Sequence, residues 1–262
     1  MAQLTLEERM RRFEWFHALK VPDTMYVILR MDGRCFSKLT ENLQHPFDEN
    51  FHAAMVTTTE EVFKEMGCIY GETHSDEISI LLQPETDMFS REVEKLVSVS
   101  AALASGHFSA IRGKPASFDS RVVMLPTWMD VIDYFIWRQS DAYRCCINSW
   151  LYWKLRNDKG FSARSADTYA KHMSSGEKNS DLLENFGINV TTDIPYWQKR
   201  GTGFYWEIYD KIGFDPIQQK EVVTERRRVH IEENLPYAVG YRNFILNRLG
   251  CPDERAKWKY KI

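Results

Sequence analysis

Two short acidic stretches carry the chemistry open to this 262-residue chain. The first is Asp32-Gly33, which ends the apolar run Tyr26-Val27-Ile28-Leu29 and sits between Arg30 and Arg34. An Asp followed by a residue without Cβ lets a carboxylate and a bare backbone carbonyl approach one cation together. The arginines suit phosphate oxygens. The second is His74-Ser75-Asp76-Glu77, which runs into the apolar stretch 78–82. Two carboxylate-bearing strand ends, one beside arginines, point to a two-metal phosphoryl-transfer site. Asp-Gly is also a common turn dipeptide and Ser-Asp-Glu a common loop end, so spacing alone leaves plain turns open.

Such a site needs elements that bring the two stretches together. Leu6, Met10, Phe13 and Phe16 recur near helical spacing over 4–19, with Thr5 and Glu8 in capping-box register. Pro22-Asp23 ends that helix, and the strand carrying Asp32 follows. Pro46 and a cap at Asp48 open a helix through Phe51, Met55, Val62, Phe63 and Met66, closed by Gly67. Residues 68–71 read as a strand, 72–76 as a hairpin turn and 78–82 as the returning strand. A helix over 88–105 and a strand over 118–125 complete the order β-α-β-β-α-β. That is the split ferredoxin-like unit, an antiparallel sheet with helices on one face. It sets the first strand beside the central hairpin, and so Asp32 beside Asp76, as in a polymerase or cyclase palm. We therefore expect an α+β fold with a ferredoxin-like, palm-like catalytic domain over 1–129. A helical, aromatic-rich C-terminal region over 130–262 follows, with a small β element packed on the palm. Its expected helices are 130–155, 163–173, 178–186 and 236–249, and its strands 203–209 and 222–231.

Composition narrows the class. Apolar residues make up 44% of the chain, ample for a core, and no stretch is long enough for a membrane span. The charged, helix-patterned start does not read as a signal peptide, and a cytoplasmic protein is expected. The five cysteines (Cys35, Cys68, Cys145, Cys146, Cys251) contain no C-x-x-C pair and read as reduced thiols, without structural zinc. A net charge of −3 argues against a globally basic nucleic-acid binder, so any RNA contact needs a local patch. Lys199-Arg200 and Arg226-Arg227-Arg228 are the candidates, and a solvated strand or loop face is the alternative at both.

Six stretches in order resemble the tRNA(His) guanylyltransferase family across roughly 5–235. They are Arg30-Met31-Asp32-Gly33-Arg34-Cys35-Phe36, Pro46-Phe47-Asp48, His74-Ser75-Asp76-Glu77-Ile78-Ser79, Phe118-Asp119-Ser120-Arg121, Glu177-Lys178-Asn179 and Tyr196-Trp197-Gln198-Lys199-Arg200-Gly201. The Ser-Asp-Glu-Ile-Ser form and the arginine-rich tail look more like the family's bacterial and archaeal guanylyltransferase-like proteins. The resemblance implies a nucleotidyltransferase that builds RNA in the 3′-to-5′ direction. In it a tRNA 5′-monophosphate is activated with ATP or GTP, releasing pyrophosphate and leaving an adenylylated end, and the 3′-hydroxyl of an incoming GTP displaces AMP. It implies two Mg²⁺ ions held by Asp32, the Gly33 carbonyl and Asp76, with Glu77 beside them as a catalytic acid. It also implies a homotetramer, a dimer of dimers. The aromatics Trp137, Tyr143, Trp150, Tyr152 and Trp153 suggest an exposed oligomer face, with packing inside the chain as the alternative.

Secondary site residues follow the same matches. Arg30, Gly33, Arg34, Cys35, Phe36, His45, Asp48, Ser75, Arg91 and Lys95 are nucleotide-contact candidates. Arg91 and Lys95 open a helix whose dipole favours a triphosphate. Asp48 either orients a nucleotide or only caps its helix, and Ser75 is by type a turn residue. Arg121, Cys146, Asn148, Lys178, Asn179, Lys199, Arg200, Arg226, Arg227 and Arg228 are RNA or phosphate candidates. The match departs at two places. The His-Ile-Asn-Asn of the eukaryotic enzymes stands here as Cys146-Ile147-Asn148-Ser149, and the lysine usual before Pro-Asx-Asp is His45. Intact acids with an altered tRNA(His) signature favour template-directed 5′-end repair over addition of a single G at position −1. A nucleotide-cyclase palm and a non-catalytic RNA-binding module are the readings from other classes.

Overall fold

A computed structural model describes residues 4–215 and 219–249. Cys251 lies outside the described residues, and the other four cysteines are free thiols. The elements are α1 (Leu6–Arg11), β1 (Tyr26–Gly33), α2 (Phe36–Leu39), α3 (Glu49–Glu65), β2 (Cys68–His74), β3 (Glu77–Leu82), α4 (Val93–Arg112) and β4 (Phe118–Leu125). The C-terminal half adds α5 (Trp128–Lys159), α6 (Ala163–Ala170), α7 (Ser175–Phe186), α8 (Tyr196–Arg200), β5 (Thr202–Asp215), β6 (Lys220–Glu232) and α9 (Val239–Leu249).

The strands form one antiparallel sheet in the order β4-β1-β3-β2-β5-β6. The palm order expected from periodicity is thus present. Side chains alternate between faces along a strand. Val27, Leu29 and Met31 of β1 and Ile78, Ile80 and Leu82 of β3 enter the core under α3 and α4. Ile28, Leu81, Tyr70 and Tyr205 point the other way and pack under Trp128, Val131 and Phe135 of α5 and Tyr241 and Ile245 of α9. Helices therefore cover both faces, the second being closed by the C-terminal half. A third apolar cluster joins the far end of α5 to α6 and α7 around Ile147, Leu151, Ala166 and Leu182.

Several elements differ from the sequence expectation. The N-terminal helix is only six residues, opened by the Thr5–Glu8 capping box, and a 3-10 turn over Trp15–Ala18 replaces its second half. Residues 72–74 continue β2 rather than turning, because Glu72 and Thr73 pair with Ser79 and Ile78. The expected helix over 88–105 begins at Val93, after positive φ angles at Phe89, Ser90 and Arg91. The C-terminal strands are longer than expected and extend the palm sheet through β2–β5 pairing at Thr202–Tyr205. Beyond Tyr205 the β5–β6 pair continues as a two-stranded ribbon.

Candidate active site

The site is built by register. Across four strands, Asp119 (β4), Asp32 (β1), Glu77 (β3) and His74 (β2) form one row. The next row is Arg121, Arg30, Ser79 and Glu72, and the third, Val123, Ile28, Leu81 and Tyr70, is apolar. All three rows face α5, so polar side chains crowd the strand ends while apolar ones anchor the helix. Asp76 occupies the two-residue turn between β2 and β3, after Ser75 in the left-handed region at φ 51°. The Gly33 amide donates to the Asp76 carbonyl at 3.1 Å, tying the end of β1 to that turn. A Cβ at Gly33 would lie 2.5 Å from the Phe36 ring, so the chain passes there only as glycine.

Electrostatics mark the acid pair. Burial, then Asp32, pushes Asp76 up to about 6, against the hydrogen bonds of its own backbone amide and of Ser75, the latter long at 3.3 Å. Burial raises Asp32 as well, followed by the charges of Glu77 and Asp119, and Arg121 and Arg30 pull it down without prevailing. Carboxylates raised by burial and by acidic neighbours are what a bound cation relieves. Carboxylates, a backbone carbonyl and substrate oxygens are hard ligands suited to Mg²⁺, which keeps part of its water. Among the described residues no group of three His, Cys, Asp or Glu side chains is arranged to hold a metal. These residues fit Mg²⁺ better than zinc.

Glu77 differs from the expectation. Arg138 of α5 donates Nε to Glu77 Oε1 and Nη2 to Oε2, each at 2.7 Å, so neither oxygen is left bare toward the pair. Arg30 lies nearby, with its guanidinium 5.9 Å from the Trp137 ring centroid and its Nε buried without a hydrogen-bond partner among the described residues. Arg121 reaches Asp119 at 3.2 Å. Arg34 and Cys35 are exposed at the start of α2, with Cys35 at φ 61°.

Other candidates are placed elsewhere, for clear physical reasons. Phe36 is corrected from a nucleotide contact to core, packed on Phe118, Phe108 and Phe51. Arg91 is corrected likewise. It is 5% exposed and donates to the carbonyls of Val21, Pro22, Met25 and Thr86, clamping the approach to β1. Lys95 pairs with Glu92 at 2.8 Å. Asp48 caps α3, accepting from the Phe51 amide at 2.7 Å, and His45 stacks on Trp153. Ser75 and His45 line one pocket with His52 and Trp197.

The RNA candidates divide in the same way. Cys146 is fully buried, and Lys199 is 2% exposed with Nζ on the Val190 and Thr191 carbonyls, so neither meets RNA. Arg200 braces Leu235 O between the Tyr196 and Tyr237 rings. Asn148 accepts from Lys178 at 2.7 Å, and Asn179 donates to the Tyr143 hydroxyl. Asn148 and Lys178, with Arg144 and Lys171, line an open cleft of about 730 Å³ between α5, α6 and α7. Strand alternation splits the arginine triplet. Arg226 and Arg228 share one face of the ribbon with Tyr209, while Arg227 stacks over Trp206 on the other. Most of the α5 aromatics pack within the chain, Trp150 bonding Gln198 and Trp153 stacking on His45, and only Trp137 is widely exposed.

Sequence reasoning missed Asp119 and Arg138. Asp119 had a signal, since it is the second residue of the Phe118–Arg121 stretch and pairs with Asp32 once strands are aligned. Arg138 had none, because its partner lies 61 residues away.

A palm sheet with a carboxylate pair at one end and arginines beside it defines a nucleotidyltransferase of the polymerase-palm class. A family model described as tRNAHis guanylyltransferase matches residues 7–126, and one described as Thg1 C terminal domain matches 129–238. The chain belongs to the tRNA(His) guanylyltransferase family. It is similar to a tRNA(His) guanylyltransferase of Debaryomyces hansenii, 31% identical over 245 residues covering 86% of this chain and 91% of that protein. Among solved structures it resembles a bacterial tRNA(His) guanylyltransferase-like protein in complex with ATP, at 28% identity, TM-score 0.73, and 94% and 99% coverage. A bacterial guanylyltransferase-like protein in complex with GTP matches at 27% identity, TM-score 0.70, and 93% and 98% coverage. Among the described residues, no helix is long and apolar enough to cross a membrane.

Proposed function

We propose that this enzyme adds nucleotides to the 5′ end of tRNA in the 3′-to-5′ direction, and that its main task is template-directed 5′-end repair. The observation that carries the reading is the carboxylate pair Asp32 and Asp76, brought to one strand end by the 3.1 Å bond from the Gly33 amide to the Asp76 carbonyl and both raised chiefly by burial. Asp32, the Gly33 carbonyl and Asp76 would hold two Mg²⁺ ions, which would neutralise charge on the reacting phosphates.

The chain's own residues position the rest. In activation, an oxygen of the RNA 5′-monophosphate attacks the α-phosphorus of ATP or GTP, and pyrophosphate leaves. In transfer, the 3′-hydroxyl of the incoming nucleotide attacks the activated 5′ phosphorus, and AMP or GMP leaves. Both are in-line displacements governed by positioning and charge. Arg30, Arg34 and Arg121 neighbour the acids and would orient phosphate oxygens, and Ser75 and His45 would line a nucleotide pocket. Lys178, Asn148, Arg144 and Lys171 would take RNA phosphates in the α5–α7 cleft. Residues 1–129 would form the catalytic domain, and the C-terminal region, whose β5 and β6 extend the sheet, would supply the RNA side. ATP and GTP as substrates are supported by the complexes of the two structural relatives. A cytoplasmic homotetramer remains part of this reading.

The departure from His-Ile-Asn-Asn at Cys146–Ser149 supports repair. Single-G addition is the second reading, favoured by the names of the curated relatives. A tRNA lacking its first nucleotide and a full-length tRNA(His), each with a 5′-monophosphate, separate the two. Repair predicts extension of the truncated tRNA by the complementary nucleotide whatever the template base. Extension of tRNA(His) by one G, with the truncated tRNA untouched, would favour the second.

A further inference from the structure

Glu77 sits beside the acid pair, yet its charge is committed elsewhere. It faces Asp32 directly across β1 and β3 and raises that residue's proton affinity. Its two oxygens accept from Arg138 at 2.7 Å each, and Ser79 adds a longer contact to Oε1 at 3.4 Å. Arg138 is held in turn. Its Nη2 also donates to Asp141 Oδ2 at 2.9 Å, and its guanidinium lies 4.5 Å from the Trp137 ring centroid. Asp141 is gripped by Arg144 through Nε at 3.0 Å, and Arg144 lines the α5–α7 cleft. The acid and the guanidinium are both nearly buried, so this fork is not a loose surface pair.

We propose that Arg138 is a positioning residue that fixes the ligand number of the metal site by holding Glu77 off it. The inference rests on the metal-dependent reading given above. Two free carboxylates and one carbonyl leave most positions around two octahedral ions to water and substrate oxygens. A third free carboxylate beside Asp32 and Asp76 would bind cations more tightly and compete with the phosphates for those positions. Because the fork is planar and bidentate, Arg138 fixes both the charge and the direction of Glu77, which a lysine would do only as a point charge.

The test reads cation binding directly, by titrating the full-length protein with Mn²⁺ and no nucleotide and following free Mn²⁺ by electron paramagnetic resonance. Nucleotidyl transfer and thermal melting are measured on the same samples. In Arg138→Gln, Mn²⁺ affinity should rise roughly five-fold or more, the order of a single added site coupling, while transfer at saturating Mg²⁺ falls. In Arg138→Gln with Glu77→Gln, affinity should return to the wild-type value. In Glu77→Gln alone it should fall by no more than about ten-fold, because the change removes a nearby charge and leaves Arg138 unpaired but takes away no ligand. Arg138→Lys should give an intermediate rise, and with Glu77→Gln it decides the matter if Arg138→Gln does not fold.

Mn²⁺ binding weakened beyond that ten-fold in Glu77→Gln would make Glu77 a ligand and overturn the inference. So would unchanged affinity in well-folded Arg138→Gln or Arg138→Lys. A wild-type protein that binds no Mn²⁺ and activates no RNA would instead remove the metal-dependent reading, and the inference with it.

Discussion

Asp32 lies directly across β1 and β3 from Glu77, and the two carboxylates have opposite surroundings. Glu77 is neutralised by a bidentate arginine at 2.7 Å, while Asp32 is raised by burial and by its acidic neighbours. One row of the sheet thus carries one satisfied acid and one whose charge asks for a cation.

That contrast predicts linked effects of metal and mutation on stability. Without Mg²⁺, Asp76→Asn should leave melting unchanged or raise it by up to about 1 kcal/mol, because it removes a like-charge neighbour of Asp32. Mg²⁺ at a hundred times its dissociation constant should stabilise the wild type by about 2.7 kcal/mol. Asp76→Asn should lose that increment. Calorimetry with and without Mg²⁺ reads both, and an equal Mg²⁺ shift in the variant would place the cation elsewhere.

Gly33→Ala should cost about 1–3 kcal/mol through overpacking, since the added methyl lands on the Phe36 ring in the aromatic cluster beneath. It should also reduce transfer by shifting the Gly33 carbonyl. Denaturant melts and transfer rates check this together, and wild-type values for both would show that the ring moves freely.

Arg91→Met should destabilise the fold by about 3 kcal/mol, because four carbonyls, that of Val21 buried and the others partly so, lose a charged donor. Nucleotide affinity of the folded fraction should not change. A variant of normal stability with weak ATP binding would return Arg91 to the nucleotide site.

Glu72 gives a pH signature remote from the reacting phosphates. It is 2% exposed, accepts from the Tyr241 hydroxyl at 2.7 Å, and is pushed up to about 8, chiefly by burial. Glu77 adds to the rise and Arg138 opposes it, and Tyr241 in turn bonds Tyr70. The folded protein therefore keeps a proton that the unfolded chain releases near its ordinary 4.5. Stability should fall as pH rises between those values, by at most about 1.4 kcal/mol per unit, and level off above the upper one. Glu72→Gln should flatten that fall. Melts from pH 5 to 9 check it, and parallel curves for the two proteins would refute it.

The sequence exposed those features that are local. Asp32-Gly33 and Asp76 stand out because a strand ends abruptly in an acid, and hydrophobic periodicity was enough to order the palm. It concealed what depends on distant partners. Glu72 reads as a turn residue because the tyrosine that accommodates it in a strand lies 169 residues on. Arg91 and Lys199 look like phosphate ligands by type, yet each turns inward to backbone carbonyls that no local pattern reveals. The pairing of β5 with β2 was hidden for the same reason, since an edge strand does not encode its neighbour.

The most direct measurement uses a tRNA lacking its 5′ nucleotide and carrying a 5′-[³²P]monophosphate, with ATP, Mg²⁺ and all four nucleoside triphosphates. Wild-type protein is compared with Asp32→Asn, Asp76→Asn. The wild type should make the label phosphatase-resistant and extend the RNA by the complementary nucleotide. The double variant should lose about 10³-fold or more of that rate, as several kcal/mol of charge stabilisation disappears. Equal rates in the two proteins, or Mg²⁺-independent RNA binding without activation in either, would contradict the account.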